Sequence, residues 1–203
     1  MRTILKALLL ILLTLNFACG DSASTSDGTT ESATTESTAM EESPDAEDDE
    51  EEEDKSNRPS PPRTATGTIG DVSITIDYSS PSVKGRTIWG GLVPYGKIWR
   101  TGANEATTFE VSSDVTVEGQ KLAAGKYALF TIPGEDKWTV IFNSEPEQWG
   151  SYDHDPSKDV LSVEVTPTPM EESVEAMEFT IEGDEVVLKW EKLAVPFKVA
   201  AAG

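Results

Sequence analysis

The sequence predicts an all-β fold: a single β-sandwich of about nine or ten antiparallel strands, preceded by a disordered acidic tether. Three observations predict it. Apolar and polar residues alternate with the period of a half-buried strand along much of residues 64–203. These runs are short, recur about every ten residues, and are punctuated by glycine, proline and aspartate. No stretch carries the apolar repeat of a long amphipathic helix.

Taken in order, DVSITIDYS places Val72, Ile74, Ile76 and Tyr78 on one face and Ser73, Thr75 and Asp77 on the other. TTFEVSS groups Thr107, Phe109 and Val111, and VTVEG follows a break at Ser113-Asp114. KYALFTI and WTVIF are apolar on both faces, which fits central strands covered on each side. A turn on Pro133 and Gly134 joins them. VLSVEV alternates Leu161, Val163 and Val165 until TPTP, Thr166 to Pro169, ends the run. MEFTI, Gly183-Asp184 and EVVLKW read as a hairpin with a tight loop. Pro196 suits an edge strand for VPFKV, because proline donates no ladder hydrogen bond.

The amino end is of a different kind. Arg2 and Lys6 precede an apolar run from Ala7 to Leu15, and the run stops at Ala18-Cys19. A charged start, a short apolar centre and a small residue before the cut describe a secretory signal over residues 1–18. The apolar run is about half of the roughly 20 residues that a spanning helix needs. Cys19 is the sole cysteine of the chain, so no intrachain disulfide can form. Cys19-Gly20-Asp21 resembles a bacterial lipobox, with Asn16 standing where leucine is usual. The resemblance implies cleavage before Cys19 and its lipidation, hence a membrane anchor in the cell envelope, on the outer membrane at its periplasmic face or at the cell surface. Asp21-Ser22-Ala23 resembles a short O-glycosylation signal at Ser22.

Residues 19–63 form the tether. From Asp21 to Arg63 the chain has 15 acidic and 3 basic residues and almost no large apolar side chain. Such a segment cannot bury enough apolar surface to offset the entropy of ordering. The whole chain has a formal net charge of −21, and residues 64–203 carry 22 acidic and 11 basic side chains. A nucleic-acid partner is excluded, since phosphate recognition takes a basic face. Residues 64–203 are enough for one domain with its own core.

Candidate chemistry concentrates in IWGGLVPYGKIWRTGANEAT, Ile88 to Thr107. Gly90, Gly91, Gly96 and Gly102 allow sharp turns. If Trp89 and Trp99 face outward, with Tyr95 between them, they form flat apolar platforms for a sugar or peptide side chain. Arg100, Asn104 and Glu105 then supply directional hydrogen bonds. The alternative is structural: tryptophan is usually largely buried, Arg100 and Glu105 can pair, and Asn104 can cap a turn. A second cluster is QWGSYDHDPSKD, with the sole histidine, His154, between Asp153 and Asp155. Carboxylates and imidazole suit a divalent metal, but neighbours in an extended chain diverge, and a solvated loop is the expectation. No nucleophile motif, HExxH or phosphate-binding glycine loop occurs, and no cofactor is implied.

LVPYGKIWRTGANEATTFEVSSDV, VTVEGQKLAAGKYALFTIPGEDKWTVIFN and WGSYDHDPSKDVLSVEV together resemble the bacterial domain of unknown function 2911. The likeness is strongest over residues 77–165, and VPYGKIWRTGANEAT is its most specific part. That family is frequent in Bacteroidota and in exported proteins, which supports an envelope location. It carries no established activity or catalytic residues. The expectation is a lipid-anchored envelope protein whose module binds a glycan or peptide without catalysis. The alternatives are an envelope-polymer hydrolase and a structural component of an outer-membrane assembly.

Overall fold

A computed structural model describes residues 54–202. The expected signal segment, Cys19, Ser22 and the acidic run up to residue 53 lie outside the described residues.

Ten strands follow in order: β1 (Pro62–Ile69), β2 (Val72–Ser79), β3 (Ala103–Val111), β4 (Val115–Val117), β5 (Gln120–Leu122), β6 (Gly125–Ile132), β7 (Trp138–Asn143), β8 (Asp159–Val165), β9 (Thr168–Glu182) and β10 (Glu185–Ala201). They build two antiparallel sheets, one ordered β1-β2-β3-β6-β7-β8 and the other β5-β4-β10-β9. The described residues contain no α-helix, only two single 3₁₀ turns at Lys55–Asn57 and Pro156–Lys158. The expected β-sandwich is the fold.

The alternation read from DVSITIDYS has a physical outcome: Val72, Ile74, Ile76 and Tyr78 are all buried between the sheets. Phe109 and Val111 of β3, Leu129 of β6 and Val140 and Phe142 of β7 meet them from the same sheet. Val186, Leu188, Phe197 and Val199 of β10 close the core from the other. β6 and β7 are central strands and are covered on both faces, as their doubly apolar sequences imply. Ala128, Phe130 and Ile141, which alternate with the core residues, join Ala106 in a second apolar cluster on the outer face.

Two segments lie on that outer face. Residues 144–158 fold back over it, with Ser144 N–H donating to Lys158 O at 2.9 Å and Ala106 N–H to Gln148 O at 2.9 Å. An amino-terminal strap, residues 54–61, runs in ahead of β1. The folded body therefore starts before residue 64, and β1 begins at Pro62. At the opposite side, the chain leaving β2 crosses to the second sheet. Met177 N–H donates to Pro81 O at 2.9 Å and Val83 N–H to Glu175 O at 2.8 Å, so part of the β9 edge is paired.

Pro196 corrects an expectation. VPFKV is not a separate edge strand but the end of β10, which lies between β4 and β9. Ladder pairing to β9 covers Glu185 to Ala194 and pairing to β4 covers Val199 to Ala201. Pro196 falls in the gap between the two ladders, where no strand pairing asks it for an N–H.

Candidate functional site

The glycine-rich segment between β2 and β3 is chiefly an interior feature. Gly90 and Gly96 have φ of +75° and +67°, backbone that suits glycine. The turns carry Trp89 and Trp99 inward between the sheets, where they meet Trp138 of β7 and Trp190 of β10. Ring centroids are 5.0 Å apart for Trp89–Trp138 and 5.6 Å for Trp89–Trp190, both edge-to-face, and 5.9 Å for the stacked Trp99–Trp190 pair. Trp99 is 8 % exposed, and its indole N–H donates to Gly102 O at 3.0 Å. The N–H groups of Trp89, Trp138 and Trp190 find no acceptor among the described residues and lie among these rings. The condition for outward platforms at Trp89 and Trp99 is not met, because burying two indoles outweighs leaving them in water.

The polar residues of the same segment separate. Tyr95 is 39 % exposed, and its ring passes Gly90, where an added Cβ would lie 3.1 Å from it. Asn104, at φ +57°, caps no turn: its amide donates to Ser60 O of the strap at 3.1 Å. Glu105 does not pair with Arg100. Its carboxylate accepts from Arg58 Nη1 at 2.9 and 3.1 Å and lies 3.0 Å from Lys55 Nζ. Asn104 and Glu105 thus hold the strap to the sheet.

Arg100 has another environment. Its side chain is half-buried on the outer side, opposite Trp99. Its Nε is buried with no hydrogen-bond partner, and no acceptor among the described residues takes its guanidinium. Burial lowers its pKa from the ordinary arginine value, and Tyr152 opposes that shift. Arg100 lies beside Gly150, where an added Cβ would stand 3.9 Å from Nη1.

A groove of about 630 Å³ lies on the outer face of the six-stranded sheet. Thr64, Asp77 and Thr108 are register partners across β1, β2 and β3 and form its floor, with Lys126 of β6 beyond. Lys55 of the strap and residues 146–149 also line it. Its charges balance locally: Lys55, Arg63 and Lys126 stand against Asp77, Glu105 and Glu147. Two buried polar atoms of its lining, Thr108 Oγ1 and Gln148 Oε1, have no partner among the described residues. Trp149 is 55 % exposed there. Of the residues singled out in the sequence as ligand contacts, the groove includes Glu105 alone. Sequence reasoning did not place Asp77, Thr108 or Lys126 in a site. The alternation of β2 put Asp77 outside, but the register that aligns it with Thr108 is a tertiary fact.

His154 is not solvated as expected. Its Nε2 is 2.9 Å from Asp159 Oδ1, and its ring packs edge-on against Phe130 at 4.9 Å. Asp155 turns away to accept from Ser157 N–H at 2.9 Å. Among the described residues no group of three His, Cys, Asp or Glu side chains is placed to hold a metal. The histidine pins residues 144–158 onto the outer apolar cluster.

No curated protein and no solved structure matches the chain. The model of the family described as Protein of unknown function (DUF2911) matches residues 60–199, and the chain belongs to that family.

Proposed function

We propose that this module is the binding part of a lipid-anchored envelope protein and that it holds a glycan in the outer-face groove without catalysis. The observation that carries this reading is Trp149, an indole more than half exposed at a groove lined by charged and amide side chains. An exposed flat ring beside hydrogen-bonding groups suits a sugar, whose C–H faces stack while its hydroxyls bond.

An extended peptide fits less well. Peptides of that kind usually add a strand at a free sheet edge, and this floor crosses strands β1 to β3 on their face. The test is a printed glycan array followed by titration of the mature chain with the captured sugars. Trp149→Ala is expected to weaken binding at least about tenfold, a loss of about 1.4 kcal/mol, with an unchanged thermal midpoint. Full binding by the variant, or an array with no captured sugar, defeats the reading.

A further inference from the structure

The glycan reading extends to a chemical class through Arg100. We infer that the sugar this groove takes is acidic and that Arg100 holds its carboxylate, an inference that rests on the glycan reading above.

Arg100 is a half-buried cation without a protein counter-ion among the described residues. Scarcity of carboxylates does not explain this, since the chain has 37 acidic and 16 basic side chains. Glu105, five positions on, is committed to Lys55 and Arg58. Lys126 has Asp77 at 3.6 Å. The groove lining is locally balanced, and Arg100, outside it, is a positive charge that no described carboxylate pairs with. A half-buried guanidinium left in this way lacks the partner that buried polar groups normally have.

Arg100 lies outside the groove lining, next to the end that carries Trp149. Arg100 Nη1 borders Gly150, the residue after Trp149. Gly150 has φ +66°, and an added Cβ would stand 3.1 Å from the Tyr152 ring. Tyr152 is 86 % exposed, and its ring and the Arg100 guanidinium both border Gly150. Arginine's planar fork bonds a carboxylate through two parallel N–H groups. One guanidinium also matches one negative charge. A phosphate monoester, with close to two negative charges, would leave charge that one guanidinium does not compensate.

The experiment prints uronate- and sialate-containing oligosaccharides beside their methyl esters, which keep the sugar and remove the charge. The wild-type chain is expected to prefer the free acids at least tenfold, and added salt is expected to shrink that preference. Arg100→Gln should equalise acid and ester while retaining ester binding that Trp149→Ala removes. Arg100→Lys, a second variant that keeps the charge, should restore part of the preference. Equal wild-type capture of acids and esters, or an Arg100→Gln chain that still prefers acids, overturns the inference and leaves the glycan reading standing. Capture of neither form, or capture insensitive to Trp149→Ala, removes the glycan reading and this inference with it.

Discussion

Glu105 receives Arg58 and Lys55 from the strap and so joins the incoming chain to β3. Burial alone pushes its pKa up. Its own N–H and the bonds from Lys55 and Arg58 together outweigh that and hold the carboxyl below the ordinary glutamate value. The folded state thus favours the charged form, and the stability this contributes is present above the unfolded pKa of about 4.3. It is lost as pH falls through the lower folded value. Solvent screens the partly exposed carboxylate, so Glu105→Gln is expected to cost only about 0.5–1 kcal/mol at pH 7. Urea unfolding of both chains at pH 7 and pH 3 tests this. The gap between them should narrow at pH 3, and a gap of equal size at both pH values would mean that the charge is irrelevant.

The seam between β1 and β9 depends on a missing side chain. Gly67 is central in β1, and a Cβ there would stand 2.9 Å from Ile181 Cβ. That is too close for real Cβ contacts, and the obstructing atom is no flexible tip. Gly67→Ala is expected to destabilise the module by about 1–3 kcal/mol through overpacking. In an Ile181→Ala background the same change should cost much less, a coupling that a double-mutant cycle of unfolding energies measures. Additive losses would show that the two residues do not press on each other. The same strand shows what the sequence makes legible and what it hides. β2, β6, β7 and β8 announce themselves because their inward positions are large and apolar. PRTATGTI does not: its inner side offers Ala65, Gly67 and Ile69, kept small where β9 runs close. β5, three residues long, is too short to show a period. The tryptophans were visible as a motif, but their direction was set by a crossover that threads them between sheets. Trp149 stood within a loop already singled out, yet its place beside Asp77 depends on that loop folding across β3.

At the scale of the whole molecule, the chain enters the folded body at Lys55, a residue of the groove lining, directly after the acidic run that ends at Asp54. A lipid at Cys19 would therefore hold the groove's strap end nearest to the membrane along the chain. Between them, residues 20–54 can span at most about 120 Å at about 3.4 Å each. Anionic lipid repels so acidic a segment, which favours a module held away from the surface. One acyl chain binds membranes only marginally, whereas the several chains of a lipidated amino-terminal cysteine anchor stably. The prediction is that the chain, expressed in a bacterium with lipoprotein processing, partitions into the detergent phase of a cloud-point separation. Its mass should lack residues 1–18 and carry the added acyl groups. Cys19→Ser should move the protein to the aqueous phase while its near-ultraviolet circular dichroism, dominated by the buried indoles, stays unchanged. A wild-type chain that is itself aqueous and keeps residues 1–18 would remove the anchor, and the groove would then have to find its ligand free of any membrane.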